Sequence, residues 1–159
     1  MSKKLVAYFS ASGVTAEMAK TLAGVTGADL YEIEPAVKYT EADLDWTNRQ
    51  SRSSIEMKDQ AKRPALGGKP LDASKYDVVF VGFPIWWGVA PTVVNTFLEK
   101  YDFSGKTVVP FATSGGSGMG RTDEKLRPSC PQKTNWKTGK LLNGMNAADI
   151  KKWISALGV

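Results

Sequence analysis

The chain has no histidine and only one cysteine, and both shortages restrict its chemistry. Without histidine, a Ser-His catalytic pair is excluded, and most protein zinc sites lose a principal ligand. Cys130 has no second cysteine with which to form an internal disulfide, a pattern typical of a reducing compartment. It also has no histidine to activate it as a nucleophile, so we interpret this residue as incidental to function.

Long hydrophobic runs are also missing. No apolar stretch approaches the length that spans a bilayer, and the first residues lead into a strand without a secretory hydrophobic region. The chain has 159 residues, of which 42% are hydrophobic, which suits one domain with its own core. We therefore expect residues 1–159 to form a single domain of a soluble, cytoplasmic protein with no membrane partner.

Basic residues outnumber acidic ones, with 21 Lys and Arg against 16 Asp and Glu, which gives a net charge of +5. A positive balance suits nucleic acid or an acidic partner. The basic residues are nevertheless scattered, apart from a loose cluster between Arg121 and Lys152. A mixed, solvated surface is the simpler interpretation, and no nucleic-acid partner is expected.

Predicted strands alternate with predicted helices along the chain. Buried strands are predicted at 5–9, 78–81 and 107–112, a half-exposed outer strand at 29–34 and a short fifth strand at 139–142. Proline donates no ladder hydrogen bond, so a bulge is expected at Pro110. Helices are predicted at 16–23, from Pro91, and after Asn146, with an exposed helix within 51–62. This order predicts an α/β fold with a doubly wound parallel sheet and helices on both faces.

The first predicted helix has a clear apolar stripe and follows a loop rich in hydroxyl groups. Its apolar side chains recur at helical spacing and are expected to face the sheet: Val14, Met18, Leu22 and Val25. The loop before it, here called the hydroxyl loop, consists of Ser10, Ala11, Ser12, Gly13, Val14 and Thr15. A tight strand-to-helix turn directs free amide groups and the positive end of the helix dipole at one point, which suits an anion. Serine and threonine are also ordinary N-caps, so a capped turn without a ligand is the alternative.

Two further loops follow buried strands. The tryptophan loop consists of Pro84, Ile85, Trp86, Trp87 and Gly88. Two adjacent tryptophans in a turning chain cannot both enter the core, so a flat ligand that stacks on one is favoured over a packing or dimer-interface pair. The glycine loop consists of Thr113, Ser114, Gly115, Gly116, Ser117 and Gly118. It does not complete a dinucleotide fingerprint, since Arg121 stands where the third glycine would be, and the chain has no P-loop.

Together these three loops resemble those of the flavodoxin family over nearly the whole chain. The resemblance implies a five-stranded parallel sheet of order 2-1-3-4-5 and a non-covalently bound FMN. The hydroxyl loop would then bind the phosphate, the tryptophan and glycine loops would flank the isoalloxazine ring, and the segment 36–70 would pack beside it. Lys38, Tyr39 and Trp46 are candidate neighbours of the flavin in that segment. The net positive charge departs from the many flavodoxins that are strongly acidic.

No residue in these loops has the character of a general acid or base, and electron transfer needs none. The sequence therefore favours an FMN-dependent electron carrier whose partners are redox proteins or small electron acceptors. The alternative is an NAD(P)H-dependent FMN quinone or flavin reductase, in which Arg121 and Lys125 could hold a cofactor phosphate. A flavin-free binding module is disfavoured because all three loops are present. The sequence does not indicate the oligomeric state, nor which tryptophan stacks on the ring.

Overall fold

A computed structural model describes residues 3–11, 13–86, 88–114, 118–120 and 122–159. It contains six strands: β1 (Lys4–Tyr8), β2 (Asp29–Glu32), β3 (Val78–Pro84), β4 (Thr107–Thr113), β5 (Asn135–Trp136) and β6 (Lys140–Leu141). The α-helices are α1 (Val14–Thr26), α2 (Arg52–Lys58), α3 (Thr92–Lys100), α4 (Thr122–Leu126) and α5 (Ala147–Leu157). Short 3₁₀ turns occupy Ala73–Lys75 and Arg127–Ser129.

All strand pairs are parallel, and the strand order is β2-β1-β3-β4-β5, with β6 also paired to β4. The predicted α/β fold and strand order are thus confirmed. The three central strands are apolar runs buried on both faces, as parallel sheets require. The outer strand β2 is largely exposed and ends before Ile33, which is buried.

Pro110 explains why the fifth position of the sheet holds two short strands instead of the single strand expected at 139–142. The carbonyls of Val108 and Ala112 accept hydrogen bonds from the β5–β6 side, so the position between them faces the same edge. Proline offers no N–H group at that position, and the break between β5 and β6 falls beside it. The expected bulge was wrong, because β4 pairs with β3 in unbroken register through Val81 and Pro110.

Three helix ends fall where capping residues predict them, although α1 is longer than the 16–23 expected for it. Gly27 closes α1 in a left-handed conformation, Pro91 precedes α3, and the Asn146 side chain accepts from the amide of Asp149 at the start of α5. Two expectations were wrong. Val14 lies in the first turn of α1 with 53% of its surface exposed, since the phase of the helix turns it away from the sheet. The helix α2 is not exposed, since four of its side chains, including Glu56 and Met57, are buried.

Each face of the sheet carries an apolar layer. In one layer, α3 and the tryptophan loop pack on the sheet, and the buried side chains include Phe83 of β3 and Phe97 of α3. The other packs α1 and α5 against side chains such as Phe80, on which Trp153 lies edge-on. Trp153 is therefore a partly buried residue that packs against this apolar layer. Within the described part of the chain, no helix is both long enough and apolar enough to cross a membrane.

Candidate functional site

The three loops singled out in the sequence follow β1, β3 and β4, whose carboxyl ends share one edge of the sheet. In a doubly wound sheet this edge is the usual ligand site, where the strand order reverses on either side of β1. Of the predicted site residues, five lie outside the described residues: Ser12, Trp87, Gly115, Gly116 and Ser117. The others are described below, apart from Val14, whose exposure is given above, and Pro84, the last residue of β3.

In the hydroxyl loop, backbone donors converge on one oxygen. The Oγ atom of Ser10 accepts from the amides of Gly13 at 3.1 Å and of Ala16 at 3.2 Å. Gly13 is the N-cap of α1, with a φ of 96° that favours glycine and no side-chain cap. Ala11 packs against the core, so the turn is held from below. The start of α1 therefore gathers N–H groups around a single oxygen position.

This arrangement suits a phosphate, which offers the same kind of acceptor oxygen. The residues of the loop include no carboxylate that would repel an anion. In the first turn of α1, Glu17 is exposed and pairs with Lys20 at 3.7 Å. The donors of the loop are neutral amides and hydroxyls, and the helix dipole adds partial positive charge. The residues present thus fit a terminal phosphate.

A buried hydroxyl pair joins the hydroxyl loop to the glycine loop. The Oγ1 atoms of Thr15 and Thr113 lie 2.7 Å apart, and the two residues are 2% and 3% exposed. One hydroxyl donates to the other, so the pair keeps one proton for a further acceptor. This contact, between residues 98 positions apart, was not predicted.

The tryptophan loop turns back on itself directly after β3. Ile85 continues the ladder by donating its amide to the carbonyl of Thr113 at 2.9 Å. Trp86 and Val89 then exchange two backbone hydrogen bonds, of 2.9 and 3.1 Å. Gly88 lies inside this turn with a φ of 81°, which explains the glycine.

The Trp86 ring packs inward. It lies edge-on to Phe9 and to Tyr39, at centroid distances of 5.8 and 5.4 Å. Trp86 is half-buried and belongs to the apolar layer below the loop. Trp86 therefore has the packing role that the sequence analysis gave as an alternative to stacking on a ligand.

The glycine loop is held in place by Asn143, a residue that the sequence interpretation missed. The side chain of Asn143 accepts from the amide of Ser114 at 2.7 Å and donates to its carbonyl at 2.8 Å. Asn143 follows β6, whose carboxyl end reaches the same edge of the sheet as the other loops. The signal available in the sequence was a polar residue directly after the strand expected at 139–142.

The glycine and tryptophan loops approach each other at the backbone. Gly120 has a φ of 57°, and a Cβ atom there would lie 2.3 Å from the carbonyl oxygen of Gly88. Gly118, two residues earlier, is exposed. Only glycine allows the chain after the glycine loop to lie so close to the tryptophan loop.

Tyr39 joins a partly buried ion pair to the tryptophan loop. Its hydroxyl donates to Glu56, whose other carboxylate oxygen pairs with the Nε of Arg52 at 3.0 Å. The Arg52 guanidinium lies 3.8 Å from the centre of the Tyr39 ring. Burial, the hydrogen bond to Glu56 and the charge of Glu56 raise the pKa of Tyr39 well above its usual value. Tyr39 is thus a neutral donor at neutral pH, and α2 supports the ring that packs on Trp86.

A small cavity of about 160 Å³ lies between the carboxyl ends of β1 and β2. Ser10, Lys38 and Tyr39 are among its lining residues, together with Glu32 and Glu34. Of the three candidate neighbours in the segment 36–70, Lys38 and Tyr39 therefore lie beside the hydroxyl loop. Trp46 is 72% exposed, and none of the aromatic pairs found among the described residues includes it.

Among the described residues, no group of three or more Cys, His, Asp or Glu side chains is arranged to hold a metal ion. Cys130 lies away from the three loops, in an open cavity with Trp136. The parts brought together at the edge of the sheet are amides, hydroxyls and aromatic rings. Such groups bind and orient a flat, phosphorylated molecule.

The sequence model of a protein family described as Flavodoxin matches residues 3–157. The chain belongs to the flavodoxin family, as its three loops predicted. It is 51% identical to a candidate flavoprotein from Bacteroides eggerthii, with a TM-score of 0.95 and coverage of 100% of this chain and 99% of that one. A candidate flavoprotein from Bacteroides uniformis is 50% identical, with a TM-score of 0.91 and coverage of 97% and 98%.

A more distant likeness extends to a flavoprotein from Lactobacillus acidophilus that was solved in complex with FMN. It is 22% identical, with a TM-score of 0.71 and coverage of 96% of this chain and 99% of that one. At this identity the likeness is one of fold. No match was found among curated proteins.

Proposed function

We propose that this protein is an electron carrier that holds FMN non-covalently at the carboxyl ends of β1, β3 and β4. Membership of the flavodoxin family supports FMN as the cofactor. The observation that carries the proposal is the assembly of the three loops into one site. Thr15 and Thr113 join the hydroxyl and glycine loops at 2.7 Å, and Gly120 brings the chain after the glycine loop against Gly88.

The residues of the hydroxyl loop would hold the phosphate through backbone amides and hydroxyl groups. FMN, when bound, supplies the one- and two-electron redox chemistry. The backbone of the glycine loop, fixed at Ser114 by Asn143, would present donors and acceptors to the pyrimidine edge of the ring. None of the loop residues has an ionisable side chain, so the chain's part is to bind, orient and shield the cofactor.

Trp87 is the residue that we propose to cover the flavin ring. Trp86 already packs against Phe9 and Tyr39, which gives it a place in the core. Trp87→Leu should then weaken FMN binding and restore flavin fluorescence, which a stacked indole quenches. Trp86→Leu, the matched control, should instead lower the midpoint of urea unfolding of the apoprotein. If the two variants change FMN affinity alike, the division of roles is wrong.

The absorption spectrum of the purified protein tests whether flavin is bound, and chromatography after heat release identifies it. FMN is expected because the hydroxyl loop is short and suits one terminal phosphate. Recovery of the flavin adenine dinucleotide alone would contradict this assignment. Anaerobic photoreduction with spectral monitoring then reports both reduction steps.

A nicotinamide oxidation assay separates the carrier from the alternative, an NAD(P)H-dependent quinone or flavin reductase. An electron carrier should oxidise NADPH or NADH with a quinone no faster than free FMN does at the same concentration. Turnover that is well above that background and saturates with the nicotinamide cofactor would show that the protein is a reductase and not an electron carrier.

A further inference from the structure

The charges of the chain are unevenly distributed along the sequence, and one segment is strongly basic. Residues 121–152 contain eight basic and three acidic residues, a net charge of +5 that equals the net charge of the whole protein. Residues 29–59 show the opposite pattern, with eight acidic and four basic residues and a net charge of −4. The remaining residues carry nine basic and five acidic side chains, a net charge of +4.

The fold places these two segments at opposite edges of the sheet. The acidic segment contains β2 and α2, and β2 is the strand at one end of the order. The basic segment contains β5 and β6, which pair with β4 at the other end. The described residues therefore form an acidic edge (residues 29–59) and a basic edge (residues 122–152, of which α5 packs on α1 over one face of the sheet), with the proposed flavin site between them.

The seven described cations of the basic edge take part in none of the ion pairs found among the described residues. The three ion pairs found among the described residues are Lys20–Glu17, Arg52–Glu56 and Arg63–Glu99, all outside it. The seven described cations of this edge also donate no side-chain hydrogen bond to another described residue; examples are Lys125, Lys137 and Lys140. Lys133, Lys140 and the pair in α5 are exposed to solvent.

The basic edge adjoins the glycine loop. Lys140 pairs with Phe111, two residues before Thr113, so its backbone lies about 7 Å along the strand from the start of the loop. Three residues later, Asn143 holds the backbone of Ser114. Cations at this distance act on a partner at the loop within about one Debye length at physiological salt, which is about 8 Å.

We propose that the basic edge is the docking surface for an electron-transfer protein with an acidic face, a proposal that rests on the proposed function. Such a partner would be attracted to the basic edge and repelled from the acidic edge, so it would approach with a defined orientation beside the glycine loop. A nucleic acid is a poorer fit, since its charge is continuous and would also meet the acidic edge. FMN, when bound and reduced to its anionic hydroquinone, would supply two electrons, one to each of two one-electron acceptor molecules, with release of the N5 proton to water.

The test uses one acceptor protein in two charge states. Native cytochrome c is rich in lysine, and succinylation converts its lysine ammonium groups into carboxylates. Photoreduced, FMN-loaded protein is mixed with each form in a stopped-flow instrument, and haem reduction is followed at increasing salt. We expect the rate for the succinylated form to fall by at least about tenfold between 10 mM and 0.5 M salt, and the rate for the native form to fall less or rise.

Charge reversal at the basic edge supplies the decisive comparison. Lys137→Glu/Lys140→Glu should lower the ratio of the succinylated to the native rate by at least about tenfold at 10 mM salt. The matched control, Lys62→Glu/Lys75→Glu, makes the same change of net charge at exposed positions away from the glycine loop. It should change the ratio by no more than about twofold at the same salt. An equal effect of both variants, or none, overturns the proposal.

Two additional measurements separate the remaining outcomes. Quenching of tryptophan fluorescence by the haem reports binding of both cytochrome forms even to protein without flavin. If FMN does not bind, the proposed function fails, and this binding preference alone decides whether the basic edge selects an acidic protein. A 20-base-pair DNA duplex that binds more tightly than the succinylated cytochrome would make the edge a nucleic-acid surface and overturn the assignment.

Discussion

The buried hydroxyl pair of Thr15 and Thr113 offers the sharpest test of how the site is assembled. Each residue is at most 3% exposed, and their Oγ1 atoms lie 2.7 Å apart. Replacing either residue by valine leaves the other hydroxyl buried with its partner lost. Replacing both residues removes the two polar groups together and puts methyl groups of similar size in their place.

The expected energies follow from this difference. A buried polar group left without its partner costs about 1–3 kcal/mol, while exchange of both partners for apolar groups of similar shape is nearly neutral. Each single variant should therefore lose about 2 kcal/mol of unfolding free energy, or about 4–8 °C in Tm for a protein of this size. The double variant should lose less than the sum of the two, with a coupling energy of at least about 1 kcal/mol.

Urea unfolding of the apoprotein measures these energies, with the four members of the cycle at one temperature and pH. Thr15→Ser, which removes the methyl group and keeps the hydroxyl, is the control in which the hydroxyl pair is retained. Additive effects of Thr15→Val and Thr113→Val would refute the pairing. Ligand binding adds a second measurement. Thr15→Val should weaken the binding of FMN by about 1.5–3 kcal/mol and leave the binding of riboflavin, which has no phosphate, almost unchanged. Equal weakening of both ligands would mean that Thr15 supports the fold and does not contact the phosphate.

Three further predictions concern the surroundings of the site. Asn143→Leu removes both hydrogen bonds to the Ser114 backbone and should weaken FMN binding by about 1–3 kcal/mol in a fluorescence titration; unchanged affinity would show that the loop holds its own conformation. The raised pKa of Tyr39 means that its contribution to stability is present below about pH 10 and is lost as the pH rises further, so Tyr39→Phe should show a flatter fall in unfolding free energy above pH 10. Other tyrosines with raised pKa remain, so the fall should shrink and not vanish. Burial, aided by the charge of Glu99, raises the pKa of Cys130 to about 12. Iodoacetamide at pH 8 should therefore modify Cys130 roughly a thousandfold more slowly than an ordinary thiol until urea unfolds the chain. Fast alkylation of the folded protein would contradict this.

Much of the fold could be predicted because its signals are local. The apolar runs of β1, β3 and β4 announce buried parallel strands, and Asn146 and Gly27 mark helix ends by capping chemistry that involves only neighbouring residues. The three loops were found for the same reason. Each directly follows a strand, and parallel strands bring their carboxyl ends to one edge.

The segment 36–70 and the outer edge of the sheet could not be predicted in detail, because distant residues decide their structure. The charged side chain of Glu56 predicts that the helix is exposed. Arg52 and Tyr39 pair with the Glu56 carboxylate, however, and so allow it to be buried. The break between β5 and β6 depends on Pro110, about 30 residues earlier in the chain. A proline predicts a fault in the sheet, but not whether its own strand bulges or its neighbour is interrupted.

The contacts that turn three loops into one site belong to the same long-range class. Thr15 and Thr113 are ordinary capping and strand residues when each is considered alone, and only the strand order brings their hydroxyls together. Asn143 reaches Ser114 because β6 runs parallel to β4 and ends beside it. The loops therefore depend on one another: a change in the glycine loop or at Asn143 alters the frame in which the hydroxyl loop holds its donors. For this reason, loss of FMN affinity in a single variant does not identify a contact residue, and the comparisons with riboflavin and with unfolding of the apoprotein are needed to separate binding from assembly.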